Sequence, residues 1–98
     1  MSRRRYLLAY DIADPVRLRK VHDVVKGYGY SLQYSVFVCD LGDMEKFWLK
    51  GDLSLVLHMT EDRVAIVDLG DAEQRGMECF EFMGQTPLLP KPGGPHIV

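Results

Sequence analysis

The spacing of hydrophobic and polar positions changes period several times along the chain, and each change marks an element. Tyr6-Leu7-Leu8-Ala9-Tyr10 is a nearly continuous apolar run ending at Asp11-Ile12, the pattern of a central strand buried on both faces. Asp14-Pro15 follows. Aspartate accepts from the free N–H groups of a helix start and proline fits its first turn, so this pair predicts a helix N-terminus. Leu18, Val21, Val25 and Tyr28 then recur at helical spacing, with Arg17, Lys20, Asp23 and Lys26 on much of the other side. That is an amphipathic helix, stopped by Gly27 and Gly29.

From Leu32 to Leu41 the chain is rich in β-branched and aromatic residues, predicting a second strand with a break or bulge near Ser35. Gly42-Asp43 opens a second helix, with Met44, Phe47, Trp48 and Leu55 expected on one apolar side. Gly51 weakens it by about 1 kcal/mol relative to alanine, and close packing of Gly51 against the sheet is the expected compensation. Thr60-Glu61-Asp62 reads as a turn, and Arg63 to Leu69 as a strand. Met77 to Met83 reads as a further strand, pairing with it as an antiparallel hairpin. Pro87, Pro90, Pro92, Pro95 and Gly93-Gly94 exclude a helix after Thr86. The expected division is a domain over residues 1–86 and a Pro/Gly-rich arm over 87–98.

Two helices on one face of a mainly antiparallel four-stranded sheet make an α+β, ferredoxin-like fold. The other sheet face is then uncovered although its strands carry apolar residues on both sides. The economical cover is a second copy, sheet against sheet.

Composition narrows the function classes. At 98 residues the chain is one domain with a modest core. Its net charge of −2 does not by itself indicate nucleic acid, but the charge is uneven. Residues 1–26 hold seven basic and three acidic residues, and the remainder five and eleven, so a polyanion would meet the N-terminal third. A solvated basic helix face gives the same pattern. Cys39 and Cys79 match no metal or redox spacing and read as buried free thiols of a reducing compartment. The run after Arg3-Arg4-Arg5 is too short for a secretion signal and no stretch suits a membrane span. The expected location is cytoplasmic, with no membrane partner.

Asp11 is the candidate chemical residue. At the end of a buried strand a carboxylate is costly unless satisfied. One reading makes it a helix cap or an arginine partner, although Asp14-Pro15 already supplies a better cap. The other makes it a metal ligand. Magnesium (or manganese) is held by one or two carboxylates, waters and phosphate oxygens, and a two-fold dimer would bring two Asp11 carboxylates to one ion. Among the remaining residues, His22 reads as a surface histidine, His58 as core edge and His96 as tail. Tyr6 and Tyr10 are expected in the core. No Ser-His-Asp set, phosphate-cradling glycine loop or zinc spacing is present.

Tyr10-Asp11-Ile12, the basic helix through Arg17, Arg19 and Lys20, Tyr28-Gly29 and Gln33-Tyr34-Ser35-Val36-Phe37 together resemble the Cas-two family of CRISPR-associated adaptation proteins. The match is close over the first 41 residues. The resemblance implies a ferredoxin-like homodimer with Asp11 of each chain at the interface as metal ligand. It also implies metal-dependent phosphodiesterase (endonuclease) activity on RNA or DNA, and partnership with the CRISPR integrase, Cas-one, in spacer capture. Tyr10, Arg17, Arg19, Lys20 and Phe37 would contact nucleic acid, although Phe37 reads more readily as a core or dimer-interface residue than as a base-stacking one. Family members often carry consecutive arginines where Leu18 here separates Arg17 from Arg19. The alternatives are a non-catalytic architectural subunit of the integrase complex, a toxin-like RNA interferase, and a ligand-binding regulatory domain.

Overall fold

A computed structural model of the protein describes residues 3–89. The elements are β1 (Arg4–Asp11), α1 (Pro15–Lys26), β2 (Tyr30–Gln33), β3 (Val36–Leu41), α2 (Asp43–Ser54), β4 (Arg63–Asp71) and a short α3 (Arg75–Glu78). The strands form one sheet in the order β2-β3-β1-β4, with every neighbouring pair antiparallel. This is the expected α+β, ferredoxin-like architecture of two helices and a four-stranded antiparallel sheet.

The fourth strand is not where the sequence pattern put it. Residues 32 to 41 do not run as one bulged strand. The chain reverses at Tyr34-Ser35, giving the hairpin β2–β3. Conversely, Met77 to Met83 forms no strand. Arg75–Glu78 is helical and no helix or strand follows it among the described residues. The reason is local. The Arg5 guanidinium, 1% exposed, donates to the Gly76 carbonyl at 3.0 Å, and a Cβ at Gly76 would lie 2.8 Å from that of Arg5. The backbone is thus held at β1's end instead of returning along β4. The outer edge of β4 stays unpaired among the described residues.

The core lies between the helices and one sheet face. It joins Tyr6, Leu8 and Tyr10 of β1 to Phe37, Cys39 and Leu41 of β3, Val21 and Val25 of α1, and Leu49 and Leu53 of α2. Burial pushes the Cys39 thiol up to about 12, so it is an inert core group. Asp14 caps α1 as expected, its carboxylate accepting from the Arg17 N–H at 2.9 Å. Gly29 follows α1 so closely that an added Cβ would stand 2.4 Å from the Val38 carbonyl oxygen.

α2 is rotated relative to expectation. Leu49 and Leu53 are buried, whereas Met44, Phe47, Trp48 and Leu55 are exposed, and no atom of the described residues lies within 4 Å of a Cβ built on Gly51. Lys46 faces the sheet instead, its ammonium 4.6 Å from the centre of the Tyr6 ring. A lysine stem covers apolar surface while its cation meets the ring face, which frees the aromatic stripe for solvent.

Candidate nucleic-acid interface and metal ligand

Side chains alternate along β1. Tyr10, with Leu8 and Tyr6, enters the core, and Asp11 leaves the strand on the opposite face. Asp11 is exposed. Its carboxylate makes no hydrogen bond or ion pair with the described residues, so it is neither a cap nor an arginine partner. Arg63 stands directly opposite it in the β1–β4 register, on the same face, and has no ion pair among the described residues. The sequence pattern did not single out Arg63, because its place beside Asp11 depends on that register.

The basic N-terminal third is largely neutralised from within. Arg3 meets Glu45 at 3.1 Å, Arg4 meets Asp68 at 2.9 Å, and Arg5 forms a buried pair with Asp40 at 2.7 Å. Arg17 donates from Nε to Asp62 Oδ2 at 2.8 Å and from Nη2 to Glu61 Oε1 at 3.0 Å. The Asp62 side chain is inaccessible to solvent and also accepts from the backbone N–H groups of Ala13 and His58. The Arg17 hydrogen bonds hold its carboxyl well below the usual carboxylate range, and those backbone donors add to this. Arg17 therefore ties the start of α1 to the loop before β4. The lysines and arginines without an ion pair among the described residues are Arg19, Lys20 and Lys26 on α1, Lys46 and Lys50 on α2, Arg75 on α3, and Arg63 beside Asp11.

The aromatic candidates are core residues. Phe37 is 2% exposed and stacks on Tyr10 at a centroid distance of 6.2 Å. His22 is not a free surface residue. It is half-buried, edge-on to Phe37 at 5.5 Å, with Nδ1 2.9 Å from the Tyr10 hydroxyl. His58 is exposed, not core edge. His96 and most of the 87–98 arm lie outside the described residues.

Among the described residues no group of three His, Cys, Asp or Glu side chains gathers to hold a metal ion. A free, exposed carboxylate fits the magnesium requirement of one or two carboxylates completed by water and phosphate oxygens. Asp11 meets that requirement in part, at one carboxylate per chain. No helix among the described residues is long and apolar enough to cross a membrane.

Strand order, helix placement and an unpaired carboxylate at the end of the central strand define a small ferredoxin-like protein with a strand-end acidic site. The family model described as CRISPR associated protein Cas2 matches residues 4–77, and the chain belongs to that family. It is 43% identical over 81 residues to a CRISPR-associated endoribonuclease Cas2 of Rhodospirillum rubrum, covering 83% of this chain and 78% of the relative. It is 36% identical over 86 residues to one from Thermodesulfovibrio yellowstonii, covering 76% of this chain and 94% of the relative. Among solved structures, Streptococcus pyogenes Cas2 superposes with a TM-score of 0.71 at 27% identity, covering 82% of this chain and 99% of that one.

Proposed function

We propose that this chain serves CRISPR adaptation as a nucleic-acid-binding homodimer and cleaves RNA as a metal-dependent endonuclease. The observation that carries the reading is Asp11, an exposed carboxylate at the end of the central strand with no hydrogen bond or ion pair among the described residues. The naming of similar proteins as CRISPR-associated endoribonucleases supports it. Asp11 from each of two copies would hold a magnesium or manganese ion. Such an ion, when bound, lowers the pKa of water and neutralises charge at the phosphate. Arg63 places a cation beside that carboxylate, where a phosphate would lie, and Arg19 and Lys20 on α1 would hold the flanking backbone.

Asp11→Asn tests this reading. The Asp11 carboxylate has no hydrogen bond or ion pair among the described residues, so the variant keeps its melting temperature and oligomeric state. Its cleavage of single-stranded RNA in magnesium falls to background. Undiminished cleavage would remove Asp11 from the chemistry.

A second reading is favoured by the exposed α2 stripe of Met44, Phe47, Trp48 and Leu55, since such patches mark protein contacts. In that reading the chain is an architectural subunit of the integrase (Cas-one) complex. Spacer integration that survives Asp11→Asn while cleavage is lost supports it. Loss of both ties the two roles together.

A further inference from the structure

A pocket of about 300 Å³ lies between the first turns of α1 and the β2–β3 turn, lined by Tyr10, Pro15, Leu18, Arg19, His22 and Tyr34. It is on the helix side of the sheet, opposite the face that carries Asp11, but at the same end. Tyr10 and Asp11 are consecutive, with Cα atoms about 3.8 Å apart, but their side chains leave opposite faces of the sheet, so a single strand would have to wrap the sheet's end to meet both.

The lining has the composition of a site for one flat, partly polar group. Pro15 and Leu18 give apolar walls. Tyr34 is 79% exposed, so its ring is free to stack. Arg19 is exposed and supplies charge at the rim for a phosphate. The volume sits at the small end of ligand sites, about 300–1,000 Å³, which suits a single base and excludes a dinucleotide.

The Tyr10 hydroxyl lies 2.9 Å from His22 Nδ1 and 3.4 Å from the Tyr34 carbonyl oxygen. A hydroxyl donates one proton. Both contacts are satisfied together when Nδ1–H donates to the Tyr10 oxygen and the hydroxyl donates to the carbonyl. That tautomer leaves Nε2 as an acceptor, and Nε2 has no partner among the described residues. An acceptor in an apolar pocket favours a group bearing an N–H donor.

We propose that this pocket receives an unpaired base bearing an exocyclic amino group, such as adenine or cytosine, from a bound single strand. Tyr34 stacks on the base, His22 Nε2 accepts from its exocyclic amino group, and Arg19 contacts its phosphate. The proposal rests on the reading of Asp11 as the phosphate-side site, but its test needs neither metal nor cleavage.

The full chain is titrated by NMR with adenosine, cytidine and uridine 5′-monophosphates and with ribose 5-phosphate. The adenine and cytosine nucleotides shift Leu18, Arg19, His22 and Tyr34 saturably. Uridine monophosphate, whose one N–H is flanked by two carbonyl oxygens that an acceptor at Nε2 repels, binds about ten-fold more weakly. Tyr34→Ala, which removes only an exposed side chain, weakens adenosine monophosphate by about ten-fold. His22→Ala abolishes the preference over uridine. Equal shifts from ribose 5-phosphate, equal binding of uridine monophosphate, or an unaffected Tyr34→Ala overturns the proposal. Nucleotide binding in a protein that cleaves no RNA sustains the pocket and removes only the endonuclease reading.

Discussion

Two aspartates near the same end of the sheet are in opposite situations. Asp11 is exposed and unpaired, whereas Asp62 is enclosed and accepts from Arg17, Ala13 and His58. Asp62 is the one that stabilises the fold, and it does so in a pH-dependent way. Its folded pKa is depressed, chiefly by the Arg17 hydrogen bonds, so the unfolded chain binds the proton more readily. The stabilisation is therefore complete above the ordinary aspartate value of about 3.9 and declines as pH falls through the folded value. The wild-type urea midpoint should thus fall steeply between pH 4 and pH 2. In Asp62→Asn it should start lower at pH 7 and fall less over the same range. Parallel pH profiles would show that Asp62 is not the carboxylate that titrates. Arg17 is consequently a poor choice for a nucleic-acid contact, although its sequence position beside Arg19 and Lys20 gives no hint of that. The partner that claims it is 45 residues away in the chain.

Elements were legible where the sequence carries a signal that is purely local. Asp14-Pro15, the Val21 and Val25 stripe and the glycine stop fixed α1, and the apolar run from Tyr6 fixed β1. The rotation of α2 was not legible, because an apolar stripe does not reveal which side the sheet will take. Leu49 and Leu53 lie on one side of α2, and Phe47 and Trp48 on another. The side taken buries Leu49 and Leu53, and the contacts that go with it, Lys46 over Tyr6 and the Arg3–Glu45 pair, are long-range ones. The last strand failed for a similar reason. Its alternation is present in Met77 to Met83, but Arg5 captures Gly76 first. The orientation of α2 is directly testable. Leu49→Ala should cost about 2–5 kcal/mol, as for a core leucine, and Phe47→Ser should stay within about 0.5 kcal/mol, as for a surface site. Chemical denaturation of the two variants reads both values, and the reverse order would restore the orientation that the apolar stripe implies. Of the candidate site, Asp11 was visible as a charge interrupting an apolar strand. Arg63, His22 and Tyr34 were not, since strand register and the β2–β3 turn bring them into place.

For the whole molecule, the outstanding question is what covers the second sheet face. Within one chain α3 buries Arg5 at one end, and Val38 is fully buried. Yet Val67 remains 47% exposed and Tyr30 42% exposed, and both lie on that face by register with Leu7 and Val38. Asp11 and Arg63 lie on the same face, so apolar surface and acidic site belong to one plane. A second copy laid on it would remove Val67 from water and bring two Asp11 carboxylates into one neighbourhood, which supplies the second ligand that a single chain lacks. Val67→Lys separates these consequences from folding. A half-exposed position tolerates lysine within about 0.5 kcal/mol in the isolated chain, whereas a charge in a two-fold interface meets its own copy and is repelled. Sedimentation should show wild type as a dimer and Val67→Lys as a monomer with an unchanged far-ultraviolet dichroism spectrum. The monomer should lose magnesium-dependent cleavage although Asp11 is intact. A Val67→Lys dimer would place the interface elsewhere. A monomer with full activity would mean that one carboxylate suffices, and the Asp11 site would then be complete within each chain.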